Sequence, residues 1–449
     1  MLKNEKSDAV FETEKASMER EDTFLKKDVF ESTVEEIRSD LAAPTVSLSM
    51  IVKDEEAVLP RCLESVKDIV DEMVIVDTGS KDGTVEIAQS FGARVYRYTW
   101  EDNFCESRNF GLQFARGDWI LQLDADEELE ERDIFLIRKV IRSTEYNGHS
   151  FVILSDGPDH AVYRCRNTRL FRTGCVHYEG SVVDVPIVRG KVFLSPIRIY
   201  HYGYNLDPDV LTKKFKQSEK RLCRQIQEEP NNTYARANLV WNYRLQKEYI
   251  KMIEEAEKAL TLSHIRIFDA QMIMNDLLYG YFITGNFKKA EKIGIQGLRD
   301  NSYHLDMLFV LGCVMVKQRR FKKAIDYFAE YLRVHGFEKQ VPGLEDLVIN
   351  TYGYRGRVWN NIGSCYEHLG KAEKALECYQ KAIQYEETNV VFYKNLASLY
   401  LKKGKSALAI KVLENAQNMG IADDTTIRMI GKLKLLQPPE MVMWQGKME

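Results

Sequence analysis

From about residue 233 to 423 of this 449-residue chain, one set of side chains returns every 34 residues, which commits that half to a stack of similar units. Trp359, Ile362, Gly363, Tyr366, Gly370, Ala375, Tyr379 and Ala382 are followed 34 residues on by Tyr393, Leu396, Ala397, Tyr400, Gly404, Ala409, Leu413 and Ala416. The same frame recovers Leu311, Gly312, Ala324 and Phe328, and before them Leu277, Tyr281, Gly285 and Ala290. A looser unit holds Leu239, Tyr243 and Ala259. Small residues at fixed offsets let paired helices approach closely, and the large ones fill the spaces between them. The period predicts about five helix pairs over 233–423 and a closing helix to about 436, with core aromatic and Met positions. An insertion of about 17 residues, Gly336 to Tyr352, interrupts the array.

The first half has a different texture, and the length itself suggests two or three domains. Residues 1–43 are charged and sparse in apolar positions, the pattern of a partly helical or disordered extension. From 44 to 204 strands and helices alternate. Strand patterns at Val46–Val52, Met73–Asp77, Arg94–Tyr98 and Trp119–Leu123 are separated by helical spacing at Glu55–Val66, Thr84–Phe91 and Cys105–Ala115. This predicts a parallel α/β sheet with crossover helices, then short β-rich pieces at Phe151–Leu154, Arg169–Phe171 and Val192–Ile199. Asp207 caps, and Pro208 opens, a connecting helix over 205–232. Residues 437–449 read as a tail.

A net charge of -4 argues against a generic nucleic-acid binder. The eight cysteines are scattered without a Cys-x-x-Cys pair, which predicts thiols in a reducing cytoplasm rather than a disulfide frame or zinc site. The N-terminus lacks the apolar stretch of a signal peptide, and no apolar run approaches the roughly 20 residues of a membrane span.

Chemistry concentrates at two strand ends. Trp119 to Leu123 runs into Asp124-Ala125-Asp126-Glu127, and alternation along an extended chain predicts that Asp124 and Asp126 project to one side. Two such carboxylates repel unless a cation lies between them, and hard divalent cations prefer oxygen ligands. In open α/β sheets ligands bind at the carboxyl ends of strands. The turn Asp77-Thr78-Gly79-Ser80-Lys81-Asp82-Gly83-Thr84 opens a helix whose N-terminus favours negative charge. It is neither a P-loop nor a Gly-x-Gly-x-x-Gly fingerprint. Asp77 is placed to accept hydrogen bonds from a nucleobase or ribose, or to cap the turn.

The repeats resemble the tetratricopeptide repeat, a binding surface far more often than a catalytic one. In the first half, Ser49–Glu56, Val76–Thr84, Phe104–Asn109 and Leu123–Glu127 occur in an order and spacing that resemble the family 2 glycosyltransferases of the GT-A fold. The resemblance covers roughly residues 45–204. It implies transfer of a sugar from a nucleotide-sugar, usually UDP-linked, with Mg²⁺ or Mn²⁺ and inversion at the anomeric carbon. Carried over, Asp77 contacts the nucleobase and Arg108 the diphosphate or base. Asp124 holds ribose and metal, and Asp126 the metal. Glu55 matches the Glu of the family's Asn-Glu pair, with Asp54 in place of the Asn.

Tyr200-His201-Tyr202-Gly203-Tyr204 resembles a His-x-Gly-Tyr element of bacterial family 2 enzymes fused to tetratricopeptide repeats, among them the peptide glycosyltransferases of glycocin bacteriocins such as sublancin. His201 then supplies a third metal ligand or a diphosphate contact. Where those relatives carry Gly-x-Val-His-Glu, this chain has Gly180-Ser181-Val182-Val183-Asp184. Inversion needs a base near the acceptor, for which Asp184 is the first candidate and Glu179 the second; His177 is the residue to replace the missing His. The expected acceptor is a peptide or protein, or alternatively a cell-surface glycan. The repeats are expected to recruit it, or to pair two copies of the chain. A tetratricopeptide scaffold with a degenerate sugar-nucleotide domain is the competing class. A nucleotidyltransferase, which needs a glycine-rich basic loop where Val52–Val58 is acidic, ranks last.

Overall fold

The computed structural model describes residues 43–156, 162–179, 185–203, 208–336 and 349–436. The expectations for the N-terminal extension, the C-terminal tail and Asp184 fall outside these residues.

The first strand, β1 (Val46–Val52), shows why this segment forms a sheet centre. Val46, Leu48, Met50 and Val52 fill one face, while Ser47 and Ser49 keep the other face thin. It pairs in parallel with β2 (Glu72–Asp77) and β4 (Trp119–Gln122), and β2 pairs in parallel with β3 (Arg94–Arg97). The crossovers are α1 (Leu59–Val66), α2 (Thr84–Ser90) and α3 (Phe104–Leu112). Helix α1 starts four residues later than its spacing predicts. Asp54 takes a left-handed φ of 55° and Pro60 lies in the first helical turn, so Glu55 to Val58 form a turn instead.

The first four strands are parallel as expected, and beyond β4, where the sequence shows only short β-rich pieces, the sheet becomes mixed. After β5 (Glu127–Leu129) and α4 (Ile134–Val140), β6 (Gly148–Asp156) and β7 (Val162–Arg172) pair antiparallel, and β7 pairs antiparallel with β4. A short pair, β8 (Val176–Glu179) and β9 (Val185–Val188), stands apart. Strand β10 (Val192–His201) lies parallel to β6 and antiparallel to β5, giving the order β3-β2-β1-β4-β7-β6-β10-β5. These later strands are longer than their sequence pattern predicts, because Arg164 and Arg166 interrupt the apolar run while remaining in the ladder, and Arg169 sits where the β6–β7 register slips by one residue.

Helix α5 (Pro208–Glu228) leads into α6 (Thr233–Leu245), α7 (Tyr249–Ala259), α8 (Ile267–Ile283), α9 (Phe287–Asp300), α10 (Leu305–Lys317) and α11 (Phe321–Gly336). Then come α12 (Arg355–His368), α13 (Ala372–Tyr385), α14 (Val390–Lys402), α15 (Ser406–Asn418) and α16 (Asp424–Leu435). The periodic alanines Ala259, Ala290, Ala324, Ala375, Ala382, Ala409 and Ala416 are fully buried, as close helix pairing requires. Among the described residues, one compact unit comprises those up to Val314 together with those between Arg333 and Gly353; those of Met315–Leu332 and from Tyr354 onward form another. Within the first unit, the described end of the insertion returns to the sheet. Ile349 exchanges backbone hydrogen bonds of 2.7 and 2.8 Å with Arg164, and Asp306 accepts from the backbone N–H groups of Asn350 and Thr351. Among the described residues no helix is long and apolar enough to cross a membrane.

Candidate nucleotide-sugar site

The acidic segment does not continue the strand: Asp124 and Asp126 lie in a turn rather than in extended chain. Strand β4 ends at Gln122, and the Glu127 N–H donates to the Asp124 carbonyl at 3.1 Å. The bend gives each carboxylate its own cationic partners. Asp124 Oδ1 accepts from Arg108 Nη2 at 2.7 Å and from Gln122 Nε2 at 3.1 Å, while Oδ2 accepts from Arg169 Nη2 at 3.2 Å. Asp126 Oδ2 lies 3.5 Å from His201 Nε2. Burial opposes ionisation of Asp124, but Arg108 and then Arg169 outweigh it and hold the carboxyl well below the usual range. Asp126 is likewise held down against burial, chiefly by His201.

His201 reaches this point through the sheet register. It stands between Glu127 on β5 and Ser155 on β6. Its Nδ1 lies 3.1 Å from Ser155 Oγ, an arrangement that orients Nε2 toward Asp126. The next residues close the contact, since the Tyr202 N–H donates to the Asp126 carbonyl at 3.0 Å. A Cβ at Gly203 would press against Asp126 Oδ2 and His201 Nε2, so any other residue there displaces one of the two. Burial opposes the charged imidazole, and Asp126 more than reverses that, so the His201 pKa is raised.

Glu55 follows β1, and its N–H donates to Thr84 Oγ1 at 2.8 Å. Burial first, and Asp126 second, push its carboxyl up to about 7, while Lys214 of α5 acts in the opposite direction on both Glu55 and Asp126. Asp54 knits the two loops at the strand ends together. Its N–H donates to Ser80 Oγ at 3.0 Å and its Oδ1 accepts the Lys81 N–H at 2.7 Å. An Asn makes the same contacts and tolerates the same backbone, which accounts for the exchange of Asn for Asp. Asp77 is buried at the end of β2, its Oδ1 accepting the Ser80 N–H at 2.9 Å. Gly79 there has a φ of 106°, a turn conformation open to glycine.

The structure therefore brings Glu55, Arg108, Asp124, Asp126 and His201 together, with Asp77 at the neighbouring strand end. Glu179 stands differently. Asn109 brackets the Tyr178 backbone with bonds of 2.8 and 2.9 Å, and the Arg108 guanidinium lies 5.7 Å from the Tyr178 ring. Glu179 and His177 alternate to the exposed face of β8, where they pair at 2.7 Å.

Residues that sequence reasoning missed complete the site. Arg169 of β7 bonds Gln122, Asp124 and Glu127 at once, and a basic residue inside a strand with buried Leu170 and Phe171 was the available signal. Buried Glu127, pushed up to about 7, accepts the Asp124 N–H at 2.9 Å. Arg221 and Arg224 of α5 hold Asp102, just before α3, at 2.6 and 3.3 Å.

An α/β sheet with acids and arginines converging on its strand ends has the frame of a ligand-binding doubly wound domain. Residues 47–186 match the family model for glycosyl transferase family 2, and 356–389 and 378–411 match tetratricopeptide repeat models. An uncharacterized glycosyltransferase of Rickettsia bellii is 41% identical over 225 residues, which cover 45% of this chain and 76% of that protein. The SPbeta prophage-derived glycosyltransferase SunS of Bacillus subtilis is 28% identical over 197 residues, 42% of this chain and 47% of that protein. A TPR repeat-containing protein of Synechococcus elongatus is 56% identical over 88 residues, 20% of this chain and 22% of that protein. The chain spans about half, or less, of the length of the latter two. It belongs to the family 2 glycosyltransferases, as a GT-A, Rossmann-like α/β domain followed by an all-α tetratricopeptide-repeat solenoid.

Proposed function

We propose that the protein is an inverting, metal-dependent transferase that moves a hexose or N-acetylhexosamine from a UDP-sugar to a Ser or Cys side chain of a peptide or protein, with the repeats recruiting that acceptor. The observation that carries the donor half is the convergence of Arg108, Asp124, Asp126 and His201 at the carboxyl end of β4. The acceptor half rests on the resemblance to glycocin peptide glycosyltransferases and on the attached repeats, which raise the local concentration of a weakly held acceptor.

In this reading Asp77 binds the nucleobase, Asp124 the ribose, Glu55 the nucleotide and Arg108 the diphosphate. The donor set fits Mg²⁺ or Mn²⁺: a carboxylate and an oriented imidazole nitrogen meet over a glycine whose Cβ would fill the space between them. Asp126 and His201 would hold the ion, with Asp124 beside them. When bound, the ion neutralises charge building on the leaving diphosphate. Arg108 adds a directed guanidinium to the same charge. The base is Asp184, or Glu179 with His177 as its partner.

The test is UDP release from UDP-glucose or UDP-N-acetylglucosamine with Mn²⁺, with and without peptide. Asp126→Ala and excess chelator are each expected to lower turnover by about 10²–10³-fold. Turnover that survives both would overturn the metal assignment, and absence of donor binding would favour a scaffold.

A further inference from the structure

The nucleotide-sugar reading assigns Arg108 and Asp124 to the donor, yet in this structure they are bonded to each other. An arginine that leaves a carboxylate to grip a diphosphate strands that carboxylate in a half-buried place, where an unpaired charge is costly. Asp124 has a second guanidinium to meet this demand. Arg169 Nη2 lies 3.2 Å from Asp124 Oδ2 and 2.5 Å from Glu127 Oε1, and its Nη1 bonds the Gln122 side chain. Arg169 is itself anchored from outside the pocket, because Glu127 is almost fully buried. The turn is closed by the Asp124 N–H donating to Glu127 Oε2 at 2.9 Å. Arg108 reaches Asp124 from helix α3, and Arg169 is tied to the strand, the turn and the carboxylate together.

We infer that Arg169 is the positioning residue of the donor site: anchored on Glu127, it holds Asp124 in place while Arg108 transfers from Asp124 to the donor diphosphate. No bond is made or broken in this exchange beyond the ion pairs themselves. The inference rests on the nucleotide-sugar reading and assigns the division of labour within it.

The test is a double-mutant cycle on the full-length protein, read as UDP affinity by calorimetry with Mn²⁺ and again with chelator. Saturation-transfer NMR keeps millimolar affinities measurable. Arg169→Gln is expected to weaken UDP binding about tenfold, within the range typical of residues that orient a binding group. In an Asp124→Asn background the same change is expected to cost less than about twofold, since its target carboxylate is gone. Glu127→Gln is expected to give a smaller loss in the same direction, again suppressed by Asp124→Asn, and it serves should Arg169→Gln fail to fold. A purely structural role predicts a lowered melting temperature with wild-type UDP affinity, or an equal loss in both backgrounds, and either result overturns the inference. Wild-type protein that binds no UDP would instead overturn the reading on which it rests.

Discussion

Two buried guanidiniums in the first compact unit carry their charge in opposite ways. In the repeats, Arg244 pairs with buried Asp276 at 2.5 Å, and its guanidinium lies 4.1 Å from the Tyr279 ring and 5.4 Å from that of Trp241. In the sheet, Arg169 is divided between Asp124, Glu127 and Gln122, and Asp124 in turn between Arg169, Arg108 and Gln122. A closed pair capped by aromatic faces serves the fold, and removing one partner leaves a buried charge. A shared network fixes the direction of a carboxylate that faces a pocket. The lesson is that burial and ion pairing of the arginine alone do not separate structure from function; the exposure of its carboxylate does, since the Asp124 side chain is about a third exposed and that of Asp276 almost fully buried.

The largest expected effect that can break this contrast is Arg244→Ala. Stranding Asp276 is expected to cost about 3–5 kcal/mol of stability, read by urea denaturation, while UDP affinity of the folded fraction stays at the wild-type level. A variant of unchanged stability with lost UDP affinity would erase the distinction.

A smaller effect sharpens it through pH. Glu55 is pushed up to about 7 by burial and then by Asp126, from the 4.5 of an unperturbed glutamate. Its folded pKa therefore lies above its unfolded one, so the native state holds a proton that the unfolded state has released. Stability falls as pH rises from about 4.5 through 7, the reverse of the usual salt-bridged carboxylate. Melting temperatures in chelator across that window are expected to decline, with a shallower slope in Glu55→Gln. An identical slope in the variant would show that Glu55 does not carry the dependence.

How much of this was legible in the sequence follows from the range of each interaction. Strand β1 lies at Val46–Val52 as its alternation predicts, and the helices follow the repeat period, because both patterns are local. The acids at Asp124 and Asp126 were visible for the same reason. Their partners were not, since a turn closed by Glu127 and residues from other elements supply them. Arg169 lies 45 positions from Asp124, and pairing of β7 against β4 brings it there. The antiparallel β6–β7 insertion hid that pairing, because period-2 patterns reveal faces but not neighbours. Lys214 was equally hidden, on a helix that looked like a connection.

The smallest effect concerns left-handed residues, which occur in both halves with different support. Asp54 and Asp102 have φ values of 55° and 61°, and both are held by side-chain bonds, to Ser80 and Lys81 in one case and to Arg221 and Arg224 in the other. In the repeats, glycine supplies the left-handed turn at Gly285, Gly370 and Gly404, each followed by an N–H that reaches back across the helix end, as Asn286 does to the Tyr281 carbonyl. Arg319 stands one period after Gly285, has a φ of 60°, and is followed by the equivalent bond from the Arg320 N–H to the Met315 carbonyl. The backbone motif is complete there, so the side chain adds only steric cost. Arg319→Gly is expected to stabilise the protein by about 0.5–1 kcal/mol, the left-handed penalty less the added entropy of an unfolded glycine. Thermal and denaturant melts check it. Asp102→Gly is expected to go the other way, because it removes the carboxylate that Arg221 and Arg224 grip along with the strain.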